Sequence, residues 1–135
     1  MRQRSSEAVT VRDAFRNRIL GLYNDQCLLT DLSGGPFVTL SHILPRAEYP
    51  QFAEHPQNVT ILNWLHHRAF DANLFTLDSD LRLHVHPEFV TDSEFLRRTL
   101  VDRDGEQLTL PEGASLSETF LRLRNEELEW LHVDS

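Results

Sequence analysis

Four of the seven histidines fall between positions 42 and 67, and Asn58 stands among them. Imidazole changes charge closest to neutral pH, and it serves both as a proton acceptor and as a metal ligand. Two imidazoles brought together can divide the work of a hydrolysis. One takes a proton from water while the other holds a cation. The order His42, Asn58, His66-His67 suits that division if His42 ends one strand, Asn58 opens the next, and a short helix carries the pair. On such a helix His67 and Asp71 are four residues apart and share a face, so both can ligate one divalent ion. His66 shares a face with Phe70 instead. At least one of the two histidines is expected to be a ligand, and both remain candidates.

The surrounding pattern supplies the elements those residues need. Residues 7–23 place Ala8, Val11, Phe15, Ile19 and Leu22 at helical intervals, which predicts an amphipathic helix whose stripe packs under the strands. Phe37–Ile43 alternates like a strand, and the Pro-containing stretch 45–57 reads as a loop. Asn58–Leu62 reads as a second strand and Leu65–Ala72 as a short helix, with Asn73 a left-handed cap. Leu74–Leu77 and Leu81–Val85 flank Asp78-Ser79-Asp80, a hairpin pattern. Farther on, Asp92 is expected to cap a helix carrying Phe95, Leu96 and Leu100. Ser115-x-x-Glu118 has the capping-box pattern before a last helix with Leu116, Phe120, Leu123, Leu128 and Leu131 on one stripe. Helix, strands, short helix, hairpin and helices in that order make the class α+β.

Composition narrows the range of functions. A chain of 135 residues with 40% apolar and 25% charged content fits one globular domain, expected to span 1–135. There are 13 Arg and no Lys against 21 Asp plus Glu, for a formal charge of −8. That balance speaks against binding a polyanion by bulk charge alone. The positive charge is local: residues 1–20 carry five Arg against Glu7 and Asp13. Arg12, Arg16 and Arg18 are therefore the first candidates for nucleic-acid contact. The lone Cys27 excludes an internal disulfide and a multi-cysteine zinc cage, and reads as core. No apolar run approaches the roughly 20 residues that span a bilayer. The expectation is a cytoplasmic protein with no membrane partner. Trp64, Phe95, Phe120 and Trp130 read as packing, and the Arg pairs 97–98 and 122–124 as solvated helix faces.

Larger strings then come into view. His42-Ile43-Leu44-Pro45, Asn58 at 16 residues' distance, and Leu65-His66-His67-Arg68-Ala69-Phe70-Asp71 resemble the HNH nucleases, in particular their restriction-endonuclease-like branch. Leu74-Phe75-Thr76-Leu77-Asp78 after the helix, and Phe15-Arg16, Tyr23 and Cys27-Leu28-Leu29-Thr30 before the strands, extend the resemblance over about residues 11–86. Residues of about 90–132 form a helical extension without a counterpart. The resemblance implies a ββα-metal core that hydrolyses phosphodiester bonds in DNA with one divalent ion, drawn from Mg²⁺, Mn²⁺, Ni²⁺ or Zn²⁺. It implies that His42 is the general base, that Asn58 orients His42 or pins the loop, and that a helix histidine, His66 or His67, ligates the metal. Asp71 is a further candidate ligand by its spacing from His67, with capping or pairing to Arg68 as its other reading. Ser41 stands where many members carry an Asp ligand, Val59 where they carry Gly, and Arg46 where they carry Trp. Arg46 is placed to contact a phosphate.

The chemistry agrees with the resemblance. A phosphodiester repels hydroxide, so a cation and a neutral imidazole are the minimum equipment for cutting it. A catalytically silent nucleic-acid- or partner-binding module on the same scaffold is the alternative, and a small domain stabilised by a histidine-bound ion is a third reading. A homodimer would let one site per chain cut both strands.

Overall fold

The computed structural model describes residues 10–132. The part of the first expected helix before Thr10 lies outside them. Helix α1 spans Thr10–Leu22. Strands β1 (Val38–His42) and β2 (Val59–Asn63) pair antiparallel, with Val38 opposite Asn63 and His42 opposite Val59. The loop between them carries two short 3-10 turns, Pro50–Phe52 and Pro56–Asn58, each begun by a proline at a first-turn position that needs no N–H. Helix α2 (Trp64–Asp71) follows β2 without a linker. Asn63, the last residue of β2, also caps the helix, its side-chain oxygen accepting the His66 N–H at 2.9 Å. That shared residue turns the chain sharply and lays α2 back over β1 and β2.

Asn73 ends the turn after α2 in the left-handed region, φ 61°, as its side chain allows. A second antiparallel pair follows, β3 (Phe75–Leu77) with β4 (Leu83–Val85). Helices α3 (Glu94–Thr99) and α4 (Glu118–Glu126) come next, and a 3-10 turn, Glu129–His132, follows them. Their caps correct two sequence expectations. Ser93 rather than Asp92 caps α3, and Ser117 rather than Ser115 caps α4. Ser115 instead accepts a hydrogen bond from the Gln57 side chain at 2.8 Å, and the Ser117 N–H donates to the Gln57 carbonyl at 3.0 Å. Both bonds fasten the C-terminal segment to the end of the β1–β2 loop.

One continuous core runs from Ile19 and Leu20 of α1 through Val38, Ile61, Phe70, Phe75, Leu83 and Leu100 to Leu121. Cys27 is buried within it, as expected. The stripe of α1 is shorter than its periodicity promised: Ile19 is buried, but Val11 is 66% exposed because the helix overhangs the strand pair. Trp64, expected to pack, is 54% exposed, and Arg124, expected in solvent, is buried.

Candidate active site

The end of β1 and the helix that folds over it converge on one cavity of about 500 Å³. His42, Arg46, His67, Asp71, Asn73 and Arg124 are among the side chains lining it. His42 is the last residue of β1, where the strand gives way to the loop. Its Nε2 lies 2.9 Å from the carbonyl of Ala53, an acceptor only, so Nε2 carries the proton and donates it. The Nδ1 lone pair is then free to take a proton from water. Burial is the main cause that lowers the His42 pKa below 6.5, opposed by the Ala53 bond, with Arg46 lowering it, Asp71 raising it and His67 lowering it. A neutral ring with a fixed tautomer is what a general base requires.

Asn58 is fully buried and makes no bond to His42. Its oxygen accepts the Leu44 N–H at 2.9 Å, while its amide donates to the carbonyls of Leu44 at 3.2 Å and Phe52 at 3.1 Å. The Ile43 N–H donates to the Asn58 carbonyl at 2.7 Å. One side chain thus holds both ends of the loop and the residue next to Ala53. Of the two roles the resemblance implied, it pins the loop. His42 is oriented at second hand, through the Ala53 carbonyl.

The adjacent histidines of α2 separate. His67 points toward the cavity, its Nε2 3.1 Å from Asp71 Oδ2 and its Nδ1 2.6 Å from Ser41 Oγ. His66 does not join them. It is fully buried, with Nε2 3.0 Å from Thr99 Oγ1 and Nδ1 2.9 Å from the Asn63 side-chain amide. Thr99 spends its hydroxyl proton on the Phe95 carbonyl at 2.6 Å, so it accepts from His66 Nε2–H, and Nδ1 accepts from Asn63. Neither ring nitrogen is left for an ion. Burial first, and Arg103 second, push the His66 pKa down to about 4, which keeps the ring neutral in the core.

The His67–Asp71 pair fits a divalent ion. Two ligands at about 2.1 Å and a right angle, the octahedral case, lie roughly 3.0 Å apart. The observed 3.1 Å is that of a hydrogen-bonded pair, so an ion would take the place of the proton between the two groups with little movement of either. Ser41, whose hydroxyl can donate or accept, would then accept from Nδ1–H and leave Nε2 to the ion. This gives the serine a purpose where many relatives have an acidic ligand. Among the described residues no group of three or more His, Cys, Asp or Glu side chains gathers around one point. An ion here would therefore draw two ligands from the protein and the remainder from water and substrate.

The candidate nucleic-acid contacts divide as well. Arg12, Arg16 and Arg46 line a smaller cavity of about 200 Å³ that shares His42 with the first. Arg46 also meets Glu54 at 3.5 Å, and Arg16 reaches the Val38 carbonyl at 3.5 Å. Arg18 borders a different cavity, beside His55 and Gly113. Trp64 stands edge-on to His67, ring centroids 5.8 Å apart.

Two contributors escaped the sequence reading. The Ala53 carbonyl has no side-chain signal. Arg124 did have one: it lies four residues after Phe120 and four before Leu128, on the apolar face of α4. An arginine on such a face is either paired or fully hydrogen-bonded.

Comparison with known proteins agrees with this architecture. Residues 27–78 match the family model described as HNH endonuclease. Among solved structures the chain is similar to a modification-dependent TagI restriction endonuclease, with 15% identity, a TM-score of 0.63, and coverage of 86% of this chain and 38% of that one. At that identity the likeness is one of fold, and this chain spans little more than a third of that enzyme. No curated protein matches the chain. The segment 27–78, which holds the strand pair, its loop and α2, belongs to the HNH endonuclease family.

Proposed function

We propose that the protein is a metal-dependent endonuclease that hydrolyses phosphodiester bonds in DNA. The observation that carries this reading is one cavity lined by a neutral histidine of fixed tautomer, His42, and by a ligand pair of the right separation, His67 and Asp71. His42 Nδ1 accepts a proton from the attacking water. Asn58 and Ala53 hold the ring still while it does so. His67 and Asp71 would hold the divalent ion, with Ser41 hydrogen-bonded to His67 Nδ1. When bound, the ion supplies positive charge against the negative charge that builds on the phosphate and the leaving oxygen. Arg12, Arg16 and Arg46 contact flanking phosphates beside His42.

With only two protein ligands, the metal identity follows ligand chemistry. An imidazole and a carboxylate suit Mn²⁺, Ni²⁺ or Zn²⁺, and Mg²⁺ is accepted if water and phosphate complete its shell. The substitution of Ser41 for an acidic ligand is the observation that favours the second reading, a silent binding module on the same scaffold. Incubating plasmid DNA with the protein and Mn²⁺ or Mg²⁺ decides between them. Nicked and linear products that vanish with a chelator support the nuclease. Retained DNA binding with no cleavage under any divalent ion selects the silent module.

A further inference from the structure

Arg124 belongs to α4, outside the segment that matches the HNH family, yet it lines the same cavity as His42, His67 and Asp71. Its guanidinium is planar and rigid, with five N–H donors in fixed directions. Four are used. Nε donates to Thr76 Oγ1 at 3.2 Å, Nη1 to the Ile43 carbonyl at 3.1 Å, and Nη2 to the Phe70 carbonyl at 2.7 Å and Asn73 Oδ1 at 3.2 Å. The fork also lies over the Phe70 ring, 3.6 Å from its centroid.

Two of these acceptors are telling. The Ile43 carbonyl belongs to the residue after His42, and the Phe70 carbonyl to the residue before Asp71. One rigid group therefore ties the end of the strand that bears the base to the end of the helix that bears the ligands. Among the described residues no carboxylate forms an ion pair with it. A buried, unpaired charge contributes little net stability, because its desolvation cost offsets what its bonds return. What a fork of fixed hydrogen bonds adds is geometry.

We propose that Arg124 is a positioning residue, which sets the separation between His42 and the His67–Asp71 pair. The C-terminal helix thereby completes a site that the family segment alone leaves loose. The proposal rests on the nuclease reading above, and its test is built so that the two fail differently.

The test uses the full chain with Arg124→Lys, which keeps the charge but replaces the rigid fork with a single nitrogen on a flexible stem. Circular dichroism and Mn²⁺ titration come first. Both ligands sit on α2, so Mn²⁺ affinity should stay within about twofold of the intact protein. Cleavage kcat per folded molecule should fall about 10- to 100-fold, and KM for the duplex should hardly move, because a mispositioned base slows chemistry rather than binding. Line broadening of the His42 ring protons by bound Mn²⁺, which falls steeply with distance, should change as well.

If Arg124→Lys does not fold, Thr76→Val removes one acceptor from the fork, together with the hydrogen bond Thr76 donates to Asn125 Oδ1 at 2.7 Å, and Thr76→Ser keeps both. A several-fold loss of kcat is then expected, recovered by Thr76→Ser. A folded Arg124→Lys, or Thr76→Val in its place, with unchanged kcat and unchanged broadening overturns the proposal. So does a raised KM at constant kcat, which would make Arg124 a substrate-binding group. If the intact protein binds Mn²⁺ but does not cut DNA, the nuclease reading fails alone and the broadening still decides the positioning. If it binds none of Mn²⁺, Mg²⁺, Ni²⁺ and Zn²⁺, both are overturned.

Discussion

Helix α2 sends two consecutive histidines into opposite environments. His66 faces the core with Ala69 and Phe70, and both of its nitrogens are spent on Asn63 and Thr99. His67 faces the cavity, where its partners are Ser41 and the exposed carboxylate of Asp71. The same ring is a structural hydrogen-bonding hub on one face and a candidate ligand on the other. Burial makes the difference. A fully enclosed imidazole must be neutral and satisfied, whereas a half-enclosed one can exchange a partner for an ion.

Paired substitutions break this comparison most directly. His67→Ala should remove Mn²⁺ binding and cleavage together while the fold survives, because the ring is at the cavity wall. His66→Ala should do the reverse. It leaves a void and unpaired Asn63 and Thr99 groups, so stability should fall by about 2–4 kcal/mol. Mn²⁺ affinity per folded molecule should persist. Calorimetric titration and urea unfolding of both variants read the two effects. Loss of the ion in folded His66→Ala would mean that the two faces are not independent.

His42→Ala sharpens the contrast between base and ligand. Cleavage should drop by about 10²–10⁴, the range for losing a general base, with Mn²⁺ binding retained. A variant that cuts at the normal rate would place the base elsewhere.

The same contrast shows why part of the site was legible in the sequence and part was not. The strand, loop, strand and helix around His42 and His67 follow from alternation, proline placement and the i, i+4 spacing. Those signals are local. The assignment of His66 was not local, because its fate depends on Thr99, which is 33 residues away and packs on it from α3. For Arg124 the place on the apolar face of α4 was a local signal of burial, but its partners Ile43, Phe70, Asn73 and Thr76 are all distant in sequence. Val11 and Trp64 erred in the other direction, since periodicity marks an apolar face but not how far its neighbour extends. The caps slipped by one or two residues because Ser115 and Ser117 are chemically equivalent. Only the docking of Gln57 distinguishes them.

Acid should separate half-buried His42 from buried His66 by what each controls. At saturating metal, activity should rise with pH through an inflection below 6.5, since burial depresses the His42 pKa and the base works deprotonated. Arg46→Gln removes a cation that lowers this pKa, so the inflection should move upward. His66 governs stability instead. Its folded pKa of about 4 lies below the unfolded 6.5, so the unfolded chain takes up a proton that the fold refuses. The stability it lends is complete above pH 6.5 and is lost as pH falls toward 4. Urea midpoints measured across that window should decline, and they should decline less in His66→Gln. An activity inflection above 6.5 would contradict the environment described for His42.

The smallest expected effect tests whether α1 also has two working faces. Arg12 and Arg16 join Arg46 beside His42, while Arg18 lies near His55 and Gly113. Each phosphate contact contributes roughly 0.9 to the slope of log binding constant against log salt. Changing Arg12, Arg16 and Arg46 together to Gln should therefore flatten the slope for duplex binding by up to about 2.7. Arg18→Gln should leave it unaltered, because a phosphate at the His42 cavity does not reach that side of the helix. Short-range exchange of Arg46 with Glu54 tempers its share, so the single change Arg46→Gln should give less than Arg12→Gln. If Arg18→Gln flattens the slope as much as either, the nucleic acid runs along the whole of α1, and the division of its arginines by cavity does not describe how the duplex is held.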